Sequence, residues 1–311
     1  MAHSAPGKHF RKGITLVELF QMFPDDKTAE QWFIESRWPD GIRCAHCYSD
    51  NIKDNASHPT MPHRCNECNR VFSVKSNSVM HASKLGYQKW AIAIYLVATS
   101  LKGVSSMKLH RDLGITQKSA WHMLQRIRKA YDDVTVMFGG ESEVDESYFG
   151  GKEKNKHAKD KLNAGRGTVG KTAVVGMKNR HTNQVQAEVI ESTDKETLQG
   201  FVVEHTTPEA TVYTDEALAY KGLPRQHQAV RHSTGEYVRE MAHTNGMESF
   251  WSMLKRGYTG TYHQISPKHL HRYVDEFSGR HNMRPLDTVD QMEAVVRQSV
   301  GKRLPYRELI A

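Results

Sequence analysis

The sequence predicts a multidomain chain of class α+β, and three observations carry that reading. Four cysteines crowd into residues 44–68, helical periodicity fills residues 87–131, and from Gly140 onward strand patterns alternate with single helices. At 311 residues the chain can hold more than one domain and a sizeable core. The expected division is N-terminal helices and a cysteine module over 1–80, a helical region over 81–138, an α/β core over 139–285 and a helical tail over 286–311.

The cysteines read C-x2-C-x17-C-x2-C: Cys44, Cys47, Cys65 and Cys68. Each CxxC turn presents two thiolates to one ion, and two such knuckles complete a tetrahedral zinc site, a zinc ribbon. With four ligands and no open position, one structural zinc is expected. The rival is a pair of disulfides, which needs an oxidising compartment. The opening MAHSAPGKHFRKG has no apolar signal core, and the longest apolar run, Trp90 to Ala98, is too short to span a bilayer. A soluble cytoplasmic protein is therefore expected. Just before the cysteines, FPDDKTAEQWFIESRWPDG reads as an amphipathic helix ending near a Pro and a Gly.

YQKWAIAIYLVATSL reads as a buried helix ending before Lys102-Gly103. SSMKLHRDLGITQKSAWHMLQRIRKAY then gives two helices around Leu113-Gly114-Ile115, the first capped by Ser105 or Ser106 and the second by Thr116. Ala120, Met123, Leu124 and Ile127 form an apolar stripe, leaving Gln117, Lys118, Arg126, Arg128 and Lys129 polar. A short Gly-containing turn between such helices is a helix-turn-helix pattern, whose second helix can enter a major groove of double-stranded DNA. An ordinary helical pair reads equally well from these residues alone. The formal charge of +8 and pI near 9.2 suit a polyanionic partner, or simply a solvated basic surface. Residues 152–171 concentrate the charge, with seven Lys or Arg against Glu153 and Asp160.

Strand patterns resume in ESEVDESYFGG, KTAVVGMK and QVQAEVIES. DKETLQGFVVEHT is a helix capped by Thr193 or Asp194, ATVYTD is a strand ending in Asp215, EALAYKGL a short helix and HQAVRHS another strand. NGMESFWSMLKRG and SPKHLHRYVDEFSGRHN are helices, the second with Ser266 as cap and Pro267 in its first turn. Within this region GRGTVGKT matches G-x-x-x-x-G-K-[ST], the phosphate-binding loop of nucleotide hydrolases. That loop needs a strand before it and a helix after it. Here a charged loop precedes and a strand follows, so no ATP site is expected.

Three acids remain. Asp145 sits inside a strand, where carboxylates are unfavourable without a purpose. Asp215 ends a strand, and Glu248 lies in a later helix whose apolar stripe is Met247, Phe250, Trp251 and Leu254. Glu248 and Lys255 are two turns apart and share the margin of that stripe. The succession of strand, hairpin strands, helix, strand and acidic helix fits an RNase H-like core with a mixed sheet. Such acids would hold two Mg²⁺ (or Mn²⁺) ions, hard cations that take oxygen ligands and stabilise attacking and leaving oxygens in phosphoryl displacement. Asn245, three residues before Glu248, is either a helix N-cap or an alternative third ligand. His243 is close by and reads as structural.

The chain resembles the DDE transposases of a bacterial insertion-sequence family that join an N-terminal zinc ribbon to an RNase H-like core. The resemblance runs through FPDDKTAEQWF…RWPDGIRCAHC, RCNECNRVFSVKSNSVM, EVDESYFGG, VYTDEALAY and HTNGMESFWSMLKRGYTGTYHQISPKHLHRYVDEF. It implies that Asp145 and Asp215 are the first two catalytic acids, that Glu248 or Asn245 is the third group, and that Lys255 contacts DNA phosphate. It further implies cleavage at element ends, strand transfer into target DNA without ATP, a homodimer or higher oligomer, no membrane, and a nucleoid-associated place in the cytoplasm. A non-catalytic zinc-ribbon and helix-turn-helix regulator, an ATPase, and an RNase H-like nuclease or Holliday-junction resolvase are the competing expectations.

Overall fold

The computed structural model describes residues 12–54, 56–132, 135–151, 161–162, 167–215, 217–230 and 244–311. They divide into two compact units. One comprises the described residues of Met1–Ser100, Val104–Asp132 and Met283–Ala311, the other those of Leu101–Gly103 and Asp133–Asn282.

The first unit is helical apart from a small sheet. α1 (Leu16–Met22) opens on a capping box between Thr15 and Glu18, and α2 (Asp26–Arg37) on the Asp25 side chain, which accepts from the Thr28 N–H at 2.7 Å. A three-stranded antiparallel sheet follows: β1 (Ile52–Lys53), β2 (His63–Cys65) and β3 (Val71–Phe72). α3 (Tyr87–Thr99) is almost wholly buried, as its continuous apolar run requires. α4 (Ser106–Leu113) and α5 (Gln117–Ala130) are capped by Ser105 and Thr116, and Gly114 ends α4 at φ 58°, ψ 41°, the left-handed geometry glycine adopts without strain. α9 and α10, numbered in chain order, are Thr288–Gln298 and Tyr306–Ile310; α9 packs on α2, α3 and α5. Leu19, Phe33, Trp90, Leu109, Met123, Leu124 and Val295 share one core.

That packing changes one expectation. Arg128, assigned to the polar side of α5, is 1% exposed, and Gln125 is fully buried. Arg126 donates to the carbonyls of His81 (2.9 Å) and Leu304 (3.3 Å), and the Lys118 ammonium lies 4.4 Å from the centre of the Tyr306 ring. Gln117 and Lys118, at the N-terminal end of α5, are its exposed residues.

The second unit is built on a five-stranded mixed sheet: β4 (Glu141–Phe149), β5 (Thr172–Asn179), β6 (Val185–Ile190), β7 (Thr211–Asp215) and β8 (Gln226–Val230), in the order β6-β5-β4-β7-β8. β4, β5 and β6 pair antiparallel, whereas β7 and β8 run parallel to β4. The parallel return from β6 to β7 is made by α6 (Lys195–His205), capped by Asp194. Alternation along β4 divides the core. Val144 joins Val175, Leu198, Phe201 and Tyr220 on the α6 face, while Phe149 joins Val174, Trp251, Leu254 and Phe277 on the opposite face, under α7 (Asn245–Gly257) and α8 (Pro267–Asn282).

One sequence expectation is adjusted and another agrees with the structure. The short helix after Asp215 is a single 3₁₀ turn, Leu218–Tyr220. β5 begins at Thr172, directly after Lys171, so the order needed for a phosphate-binding loop is absent there; residues 152–160 and 163–166 of the basic stretch lie outside the described residues. His243 lies outside them as well.

Candidate functional site

Sheet register brings the two aspartates together. Glu143 of β4 pairs with Tyr213 of β7, both strands run the same way, and two residues further on stand Asp145 and Asp215. Both odd-numbered positions face α7. Across the antiparallel partner strand Asp145 is matched with Gly176. A Cβ on Gly176 would come within 2.5 Å of the Met247 methyl and 2.8 Å of the Trp251 ring. This missing side chain lets α7 sit directly on the sheet, and the Trp251 indole N–H then donates to Asp145 Oδ2 at 3.1 Å.

A cleft of about 550 Å³ opens beside that contact, lined by Asp145, Glu146, Ser147 and Glu248, and also by Lys255 and Arg256. Glu248 and Lys255 therefore share one cleft, as their spacing predicts. Asp215 lies outside its lining, but its charge reaches Asp145. Burial pushes the Asp145 carboxyl up to about 6; its bond from the Glu146 N–H opposes this, while the charges of Asp215 and Glu248 add to it. The mutual repulsion marks an arrangement with more negative charge than the protein neutralises.

Asn245 does not line the cleft, nor is it the helix cap. Thr244 holds the cap position, and no side chain of its own bonds the first turn. The N–H groups of Gly246 and Met247 go instead to Glu143 Oε2, at 2.7 and 3.1 Å. Glu146 turns to the α6 face, where the Tyr220 hydroxyl donates to it. Burial, offset by that bond and reinforced by Asp215 and Asp145, pushes Glu146 up to about 7. The Tyr220 phenol is driven upward by burial and by Glu146.

The four thiols of the other unit form a second ligand set. All are free, the Sγ atoms of Cys44 and Cys68 are 3.6 Å apart, as are those of Cys47 and Cys65, and the four lie within 4.8 Å of one another. A disulfide would need about 2 Å, so the disulfide alternative is set aside. Tetrahedral zinc with Zn–S near 2.3 Å implies sulfurs roughly 3.8 Å apart, close to these values. The Cys68 N–H bonded to Cys65 draws its thiol down, whereas, against a backbone N–H bond, burial and the neighbouring thiols push Cys47 up. Both knuckles close alike: Tyr48 (φ 63°) and Asn69 (φ 58°), each directly after the second cysteine, are left-handed. Among the described residues only these thiols gather three or more such ligand atoms that closely.

Residues 137–282 match the family described as the ISXO2-like transposase domain. Over that segment the chain is similar to insertion-sequence transposases. It is also similar to an uncharacterized protein in transposable element ISH50 of Halobacterium salinarum, with 24% identity over 271 residues, 83% of this chain and 91% of that protein. A solved simian T-cell lymphotropic virus intasome, in complex with PP2A regulatory subunit B56 gamma, aligns with 58% of this chain and 66% of its own at 11% identity. Its TM-score of 0.28 carries no argument about the fold.

The transposase-family segment contains Asp145, Asp215, Glu248 and Lys255. It also contains four residues that sequence reading passed over: Glu143, Glu146, Tyr220 and Trp251. Glu143 and Glu146 had a visible signal, since two further acids flank Asp145 in one strand. Trp251 was read only as part of the apolar stripe, and nothing local to Tyr220 points at Glu146.

Proposed function

We propose that this chain is the transposase of an insertion sequence, a DDE-type enzyme that binds element ends and catalyses metal-dependent cleavage and strand transfer. The observation that carries the reading is the register of β4 and β7, which sets Asp145 beside Asp215 on the sheet face covered by the helix of Glu248, inside the transposase-family segment. The strand order, with an antiparallel trio followed by two parallel strands, supports an RNase H-like core. Asp145, Asp215 and Glu248 would hold two Mg²⁺ or Mn²⁺ ions: all three offer hard oxygen donors, and the raised Asp145 carboxyl is what a divalent cation would relieve.

When bound, the ions would supply activation of the attacking oxygen and charge stabilisation at the leaving oxygen. The chain's own residues do the positioning. Trp251 fixes one oxygen of Asp145 by hydrogen bonding, and Gly176 lets the helix approach closely enough for it. Lys255, in the same cleft as Glu248, neutralises a DNA phosphate. Attack by water on an element-end phosphodiester releases a 3′-OH. That hydroxyl then attacks target DNA, exchanging one phosphodiester for another, which requires no ATP. The four thiols hold one structural zinc in a zinc ribbon. α4 and α5 form a helix-turn-helix whose exposed Gln117 and Lys118 present the end that such helices bring to base edges. Acting on two element ends implies a homodimer or larger assembly.

The test incubates the purified chain and Mg²⁺ or Mn²⁺ with DNA carrying its own gene and flanks, and maps new 3′ ends. Cuts at flanking inverted repeats in wild type, lost by at least a thousandfold in Asp145→Asn, are expected. Binding to those flanks without any cut would overturn the enzymatic reading in favour of a DNA-binding regulator.

A further inference from the structure

Glu143 is 2% exposed, in the strand of Asp145, and directed at the same helix, yet it does not line the cleft. Its two carboxylate oxygens are already committed. Oε2 accepts the N–H groups of Gly246 and Met247, and Oε1 pairs with Arg180 Nε at 3.0 Å. The Arg180 guanidinium lies 3.9 Å from the centre of the Tyr213 ring, and the Tyr213 hydroxyl donates to Glu141 at 2.9 Å. This buried network touches all three elements that carry the acids. Glu143 stands two residues before Asp145, Tyr213 two before Asp215, and Gly246–Met247 immediately precede Glu248. A carboxylate on the first N–H groups of a helix also meets the positive end of its dipole, in a buried setting where that interaction is strong.

From this geometry we infer that Glu143 is a positioning residue: it locks the start of α7 to β4 and so fixes Glu248 against Asp145, while taking no part in metal ligation itself. The inference rests on the metal-holding role proposed for the three acids. Gly246 belongs to the lock, because a Cβ there would fall 2.7 Å from Glu143 Oε2 and 3.1 Å from Lys178 Cδ. An added methyl group must push the helix away from the carboxylate while leaving every charge in place.

The experiment uses the full zinc-loaded chain as wild type, Glu143→Gln and Gly246→Ala, with folding checked by circular dichroism and zinc content. Mn²⁺ affinity is measured by electron paramagnetic resonance of the free ion, and amide exchange is followed across residues 245–257 without added Mn²⁺. Both variants are expected to weaken Mn²⁺ binding about tenfold or more, in the range of second-layer changes at metal sites, with exchange at Gly246 and Met247 faster by a similar factor. Gly246→Ala decides alone where Glu143→Gln does not fold. Wild-type Mn²⁺ affinity in a folded variant overturns the inference and leaves the proposed function standing. A wild type that binds no Mn²⁺ overturns the proposed function and this inference with it.

Discussion

The thiol cluster and the carboxylate cleft are both ligand sets, and the chain assembles them in opposite ways. The thiols come from two short turns at positions 44–47 and 65–68 and converge within 4.8 Å. The acids come from positions 145, 215 and 248, and burial, reinforced by the charges of Asp215 and Glu248, raises Asp145 to about 6. With the zinc proposed for it, the first set would depend on an ion for its surroundings. Its strands are two or three residues long, and its core is Cys44, Ala45, Cys65 and Phe72 with a few partly buried neighbours. The second set depends on its surroundings for its geometry: a register, a missing Cβ at Gly176 and a buried Glu143. With that ion bound, one site would make its local fold, whereas the other is made by it.

Metal removal should separate the two most sharply. Strands this short with so small a core do not stand alone, and structural zinc in comparable modules contributes on the order of 10 kcal/mol. Chelation at neutral pH should therefore erase amide protection across residues 44–72 while β4 to β8 keep theirs. Protection surviving in the cysteine segment of a zinc-free chain would remove the asymmetry drawn here.

What could be read from the sequence follows the same division. Thiol spacing is local, so the four cysteines were legible as a set, and the caps at Ser105, Thr116 and Asp194 were legible because a cap lies within four residues of the groups it serves. The order of strands put forward Asp145, Asp215 and Glu248, of which Asp145 and Glu248 line one cleft. What stayed hidden is contact between distant segments. Glu143 and Gly246 are 103 positions apart, and Tyr220 and Glu146 are 74 apart. Asn245 looked like a cap because Asn commonly is one; the cap was instead supplied from another strand. Arg128 looked solvent-facing because helical periodicity does not reveal that a second helix, α9, closes over α5.

A smaller effect tests whether the carboxylate site is framed by close packing. Gly176→Ala places a methyl group against Met247 and Trp251, where overpacking typically costs about 1–3 kcal/mol. Urea unfolding of the variant should show that loss in the second unit. The Trp251–Asp145 bond should weaken at the same time, seen as a change in indole fluorescence. Unchanged stability and fluorescence would mean that α7 rests less tightly on the sheet than the close approach at Gly176 implies.

The smallest effect contrasts two carboxylates of one unit. Asp145 is raised by burial and by like charges, whereas Glu188 of β6 is lowered, first by its hydrogen bond with His205 and against its own burial. His205 Nε2 lies 3.1 Å from Glu188, and although burial alone would lower the imidazole, Glu188 and the Phe201 carbonyl raise it. The raised His205 contributes stability that is complete below its ordinary value of 6.5 and is lost as pH rises through its folded value. The lowered Glu188 contributes stability that is complete above 4.5 and is lost as pH falls through its folded value. The pair should therefore stabilise most between those two pH values. Because Glu188 is 44% exposed, the effect should be only about 0.5 kcal/mol. The difference in unfolding free energy between wild type and Glu188→Gln, followed from pH 4 to pH 8, should trace a shallow maximum in that window. A flat difference would show that the pair adds nothing by charge, and that paired and unpaired carboxylates in this unit differ in burial alone.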